Sequence, residues 1–290
     1  MVNLKGVGVA IVTPFKEDLS IDFDALERLI DFIIRGKCDY IVTLGTTGET
    51  ATLSNDEKLD VLNFTYEKVK DRVPVVVGIG GNNTQNVINT IVSWPLEKAA
   101  AILSVSPYYN KPSQEGIYQH YATIAKESNK KIILYNVPGR TGSNITADTT
   151  LRLANDFENI IGIKEASGNM IQCMHLVKGK PKDFLLISGD DHLTLPLIAC
   201  GFDGVISVAA NCFATEFCQL VHMALASNYE MAQKFQNKLL VGMDLLFAEN
   251  NPAGVKAFLA ELGIIQNYLR LPLTPVANPL HDKIKAFLKL

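Results

Sequence analysis

The chain lacks the patterns that fix several common classes of protein. Its five cysteines, Cys38, Cys173, Cys200, Cys212 and Cys218, include no CxxC pair. An odd count argues against a closed disulfide framework, so reduced thiols in the cytoplasm are expected. The five histidines stand far apart with no HExxH among them, so no metal site is expected. Excess positive charge is also missing: 27 Lys and Arg against 30 Asp and Glu leave a net charge of −3, with no basic face for nucleic acid or anionic lipid. No apolar run approaches the length of a membrane span, and "MVNLKGVGVAIVTPF" lacks the basic-then-apolar order of a signal peptide. These absences favour a soluble protein with a small-molecule partner. The Asn-X-Thr matches at Asn63, Asn82 and Asn144 then carry no glycosylation meaning.

What is present is a recurrence. Eight short β-rich runs appear in order: VGVAIVT, YIVTLG, PVVVGIG, AAAILSVS, KIILYN, IIGIKE, FLLISG and DGVISV. Segments of helical period separate them. In DFDALERLIDFIIRG, for example, Phe23, Leu26, Leu29, Ile30 and Ile33 fall on one face. Alternating strands and helices demand a parallel sheet, and eight units let that sheet close on itself. The expected fold is α/β, a (β/α)8 TIM barrel forming a catalytic domain over residues 1–226, with a small C-terminal helical extension over 227–290. In the extension, Asn251 before Pro252 is expected to cap a helix.

Reactive groups in such barrels stand at the C-terminal ends of the strands, and this rule selects the residues that matter. The sixth run, NIIGIKEAS, ends on Lys164 followed by Glu165. Strict alternation predicts Ile160, Gly162 and Lys164 on one face and Ile161 and Ile163 on the other, with Gly162 beneath Lys164 leaving space near the barrel axis. A buried amine there is a nucleophile suited to forming a Schiff base with a carbonyl. The bland alternatives are a lysine snorkelling to the rim or pairing with Glu165.

Tyr135, at the matching exit of the neighbouring run, could shuttle protons or be an ordinary core aromatic. Arg140, in the loop after it, offers a planar fork for a carboxylate or is a surface arginine. After the second run, GTTGETATLSNDE reads as a carboxylate cradle using Thr46, Thr47 and backbone N–H groups, or as a tight turn with a threonine cap. VGIGGNN lacks the third glycine of a dinucleotide loop, which argues against NAD.

With GTTGE, SPYYNKP, YNVPGRTG, GIKEASGN, SGDD and RLPLTP in this order, the chain resembles the dihydrodipicolinate synthase branch of the pyruvate-dependent class I aldolases, which also include N-acetylneuraminate lyase. The resemblance runs nearly end to end. It implies Schiff-base condensation of pyruvate with L-aspartate 4-semialdehyde to 4-hydroxy-tetrahydrodipicolinate, in lysine and diaminopimelate biosynthesis, without cofactor or metal. By the same resemblance Lys164 forms the Schiff base, and Tyr135, Thr46 and Tyr109 relay protons, with Tyr109 lent across a subunit contact. Thr46 and Thr47 hold the pyruvate carboxylate, Arg140 receives the semialdehyde carboxylate, and Gly189 and Ile206 line the pocket with their backbones. A homo-oligomer, usually a tetramer arranged as a dimer of dimers, is implied. Rival readings are another pyruvate-family aldolase such as N-acetylneuraminate lyase, or a keto-acid-binding barrel without catalysis.

One departure concerns regulation. Lysine-inhibited members place a glutamate and histidines in an effector pocket at the dimer contact, whereas the matching positions here are Asn86, Asn55 and Lys58. Tyr108, Asn82, Thr50 and Ala51 still fit. Neutral and positive groups bind a cationic amino acid poorly, so weak or absent lysine feedback is expected.

Overall fold

The eight β-rich runs become eight parallel strands, as seen in a computed structural model that describes residues 3–289. These are β1 (Gly6–Ala10), β2 (Tyr40–Thr43), β3 (Val75–Gly78), β4 (Ala99–Val105), β5 (Ile132–Asn136), β6 (Ile160–Glu165), β7 (Leu185–Ser188) and β8 (Gly204–Ser207). They pair in sequence order, and β8 pairs with β1 from Gly6↔Gly204 to Val9↔Ser207, so the sheet closes. The seam is locked from above by Asn211. Its Nδ2 donates to the Ala10 carbonyl at 2.8 Å and its Oδ1 accepts from the Val12 N–H at 3.3 Å.

Helices α1 (Phe23–Arg35), α2 (Asn55–Val69), α3 (Thr84–Ser93) and α4 (Gln114–Glu127) alternate with the first strands. They are followed by α5 (Pro138–Thr141), α6 (Ala147–Asp156), α7 (Met170–Gly179), α8 (Thr194–Cys200) and α9 (Ala214–Leu225). Polar residues set where several of them begin. Asp22 accepts from the Ala25 N–H at the start of α1, and Ser54 with Glu57 forms a reciprocal capping box on α2. The cap after the threonine loop is therefore a serine rather than a threonine. In α1, Leu26, Leu29, Ile30 and Ile33 are fully buried, while Phe23 is half-buried against Phe64.

Two apolar layers result. Residues such as Val42, Val76, Ala101, Leu103, Ile133, Ile187 and Ile206 fill the barrel, and a larger layer packs strands against helices. On β6 the strict alternation fails. The β5–β6 register shifts between Ile132↔Ile160 and Ile133↔Gly162, so Ile160 and Ile163 both join the outer layer and Ile161 joins the inner one. Gly162 leaves no space for a ligand: a Cβ there would come within 2.7 Å of the Leu185 carbonyl oxygen on the neighbouring strand. Its role is to let β7 approach across the bulge.

The last helices, α10 (Tyr229–Phe247), α11 (Ala253–Glu261) and α12 (Asn278–Phe287), pack back on the barrel. Phe258 and Phe287 meet Phe213 at ring-centroid distances of 5.2 and 5.9 Å, in edge-on geometry. Asn251 does not cap α11, because its side chain is engaged elsewhere. Among the described residues no helix is long and apolar enough to cross a membrane.

On α4, His120 is 5% exposed, with Nδ1 2.8 Å from the Thr84 hydroxyl. Burial pushes its imidazole down to about 4. The unfolded chain, with an imidazole near 6.5, takes the proton first, so the stability this residue contributes is complete above about pH 6.5 and is lost as pH falls toward 4, by up to about 3 kcal/mol. Urea denaturation between pH 7 and pH 4 is expected to show a flatter pH dependence for His120→Gln than for the unmodified chain.

Candidate active site

Closing the barrel delivers the ends of all strands to one rim, and Lys164 arrives there as the penultimate residue of β6, only 6% exposed. Its register partner is Tyr135 on β5, 7% exposed. The ammonium lies over the phenol ring, 4.4 Å from the centroid. A ring face holds a cation less tightly than a carboxylate does, so this contact orients the amine without locking it. Among the described residues no carboxylate pairs with Lys164. Glu165 points to the other face of the strand, where the Asn136 and Gln172 amides hold it. Neither bland reading fits, since Lys164 reaches neither solvent nor Glu165.

Gly189, just past β7, gives the lysine its room. A Cβ at that position would sit 3.0 Å from Lys164 Cε and 2.6 Å from Ala166 Cβ. Ile206 on β8 is 1% exposed and belongs to the inner layer.

The threonine loop leaves β2 through Leu44, whose φ of 57° is a strained choice for a branched residue. Thr46–Gly48 then forms a 3-10 turn in which Thr47 is buried and Thr46 exposed. Asn251, at the end of the segment after α10, donates through Nδ2 to the Thr47 hydroxyl at 2.9 Å. Its carbonyl oxygen accepts from Arg140 Nη2 at 3.3 Å. One residue of the C-terminal extension thus joins the two groups that sequence reading assigned to the two carboxylates. Thr46 and Tyr109 are not drawn in. Thr46 has no hydrogen bond to Tyr135, and Tyr109 is 89% exposed with a φ of 71°. Tyr109's loop is tied to the one after β3: Asn82 Nδ2 donates to the Tyr108 carbonyl and Asn110 Nδ2 to the Asn82 carbonyl, both at 3.2 Å.

Beneath the loop lies a second buried lysine. Lys256 on α11 is fully buried, forms an ion pair with Glu49, donates to the Tyr268 carbonyl at 2.9 Å and sits 4.1 Å from the Phe15 ring centroid. Burial pulls its amine down to about 8, against the opposing pull of Glu49. Arg270 completes the floor. Its N–H donates to Glu49 Oε2 at 3.1 Å, and its guanidinium grips both Glu57 oxygens, at 2.5 and 2.8 Å. That fork holds the Glu57 carboxyl down at about 2.

The profile of the Dihydrodipicolinate synthetase family matches residues 3–290. The chain belongs to that family. Proteins named 4-hydroxy-tetrahydrodipicolinate synthase are similar to it along almost their whole length. That of Parabacteroides distasonis is 49% identical over 288 residues, covering 99% of this chain and 97% of the relative. That of Flavobacterium psychrophilum is 50% identical over 284 residues, covering 98% and 97%. The crystal structure of the Aquifex aeolicus dihydrodipicolinate synthase superposes with a TM-score of 0.95 at 39% identity, covering 99% of this chain and 97% of that one. The chloride-inhibited dihydrodipicolinate synthase of Acinetobacter baumannii, complexed with pyruvate, gives a TM-score of 0.96 at 39% identity, with coverage of 99% and 98%.

In this dihydrodipicolinate synthetase family member, sequence reading missed Asn251, Glu49 and Lys256 as parts of the site. Thr47 and Asn251 are 204 residues apart, so no local pattern links them. Lys256 did leave a signal, as a lone charge inside the buried run Ala253–Leu259. Removing one partner of a buried ion pair strands the other charge, so Lys256→Ala is expected to cost about 3–5 kcal/mol in urea unfolding. Combining Glu49→Gln with Lys256→Met is expected to recover part of that loss.

Proposed function

We propose that the chain is a 4-hydroxy-tetrahydrodipicolinate synthase that condenses pyruvate with L-aspartate 4-semialdehyde. The observation that carries this reading is the Lys164 amine, buried at the barrel mouth beside Tyr135 and, among the described residues, without a carboxylate partner. Thr46 and Thr47 hold the pyruvate carboxylate through their hydroxyls and the turn's N–H groups. The Lys164 nitrogen attacks the keto carbon, and the resulting carbinolamine loses water to give an iminium whose methyl carbon then yields a proton. Tyr135 carries these protons, with Thr46 and a Tyr109 supplied by a neighbouring subunit completing the relay.

The enamine attacks the aldehyde of the second substrate, whose carboxylate is held by Arg140. The amine of that substrate then closes onto the former keto carbon and displaces Lys164. Gly189 and Ile206 shape the pocket through their backbones. The working unit is a homo-oligomer, a tetramer built as a dimer of dimers, in the cytoplasm. No cofactor takes part.

Borohydride reduction in the presence of pyruvate, followed by peptide mass mapping, is expected to place a stable adduct on Lys164, and an unlabelled Lys164 would overturn the mechanism. Arg140→Ala is expected to raise the KM for the semialdehyde by about 10- to 100-fold, the range for losing a charged hydrogen-bonded pair, while leaving pyruvate trapping unchanged. If Arg140→Ala leaves synthesis untouched, a sugar-acid aldolase becomes the better reading. In a lysine titration, weak or absent inhibition is expected, because Asn86, Asn55 and Lys58 replace the anionic and imidazole groups of lysine-sensitive relatives.

A further inference from the structure

Behind the reacting pair lies a buried polar ring with no assigned role. One step beyond Tyr135↔Lys164 on the β5–β6 ladder is the pair Asn136↔Glu165, whose side chains are 0% and 2% exposed and point away from the barrel interior. The Glu165 carboxylate accepts from Asn136 Nδ2 at 2.9 Å, Gln172 Nε2 at 2.8 Å and the Ser167 N–H at 2.7 Å. Asn136 also donates to Asn144 Oδ1 at 2.7 Å and accepts from the Ile145 N–H at 2.9 Å. Asn144 Nδ2 then donates to Gln172 Oε1 at 2.8 Å, closing the ring. Among the described residues no cation pairs with Glu165, so neutral donors alone hold this buried carboxylate.

The bulge on β6 gives the ring its meaning. The pairing of β5 with β6 shifts at Ile132↔Ile160, so the register at the rim is carried only by the short ladder above it, from Ile133↔Gly162 to Asn136↔Glu165. The ring bridges the two strands directly above the phenol and the amine. We propose that Asn136 and Glu165 are positioning residues whose hydrogen-bonded clamp sets the register of the two strand exits and keeps the Tyr135 phenol against the Lys164 amine. This rests on the roles given to Tyr135 and Lys164 under the proposed function.

The test uses the full-length enzyme with Asn136→Asp, Glu165→Gln and the two combined. Asn136→Asp sets two acceptors face to face, and Glu165→Gln keeps one acceptor oxygen but turns an NH2 onto a donor, either the Ser167 N–H or the Asn136 and Gln172 amides. The double variant reverses the polarity and restores the pairing. The readouts are kcat, pyruvate KM, and the rate constant and amplitude of borohydride trapping.

Each single variant is expected to lose about tenfold or more in kcat and in trapping rate, with pyruvate KM shifting by less than about threefold, as misplacement of a reacting group requires. The double variant is expected to recover most of the loss. A purely structural role would instead lower the trapping amplitude and melting temperature together, leaving the rate constant per active site unchanged. That result, or single variants as fast as the unmodified enzyme, overturns the clamp. If a single variant does not fold, the double variant decides alone: folded and fast supports the clamp, folded with less than about a tenth of the normal trapping rate overturns it. Absence of an adduct in the unmodified enzyme overturns the functional reading and the clamp with it, whereas equal trapping by all four proteins overturns the clamp only.

Discussion

Keeping an amine buried and unpaired at the mouth of a barrel requires every nearby carboxylate to be satisfied elsewhere, because a lysine and a free carboxylate in low dielectric collapse into an ion pair. Three buried carboxylates have partners of their own. Glu165, adjacent in sequence, is turned outward into the Asn136–Gln172 ring. Glu49, under the threonine loop, is taken by Lys256 and the Arg270 N–H. Asp191, two residues past Gly189, is 2% exposed and accepts from the Val208 and Ala209 N–H groups at 3.1 and 2.8 Å. Burial pushes that carboxyl up, against the hydrogen bonds it accepts. What remains beside Lys164 is the face of a phenol.

The two buried lysines make the contrast plain. Lys256 has a carboxylate, a carbonyl and an aromatic ring around it and serves as an anchor. Lys164 has the Tyr135 ring and, among the described residues, no carboxylate. The same residue type, buried in both places, is ion-paired in one and, among the described residues, has no anion in the other. Through Lys256, Asn251 and Arg270 the segment after α9 supports the threonine loop and touches Arg140, so it forms the floor of the site.

The eight-fold alternation of strand and helix was legible because it rests on periodicity, which is local. So was the placement of Lys164 and Tyr135, since register in a closed parallel sheet leaves little freedom at the rim. Gly162 was misread because strict alternation assumes an unbroken ladder, and the bulge shows only when the neighbouring strands are in place. Asn251 was misread for a similar reason. An asparagine before a proline carries a strong local meaning as a cap, and a tertiary partner, Thr47, overrode it. Glu165 was visible only as the neighbour of a lysine. Its true partners come from β5 and α7, and nothing along the chain announces them.

The seam between the first and last strands ties together segments from opposite ends of the chain. Asn211 reaches Ala10 across 201 residues, and Thr47 reaches Asn251 across 204. Contacts so distant in sequence carry the largest loop-closure cost. The threonine loop therefore has the support of Asn251 only in a chain folded through its C-terminal helices.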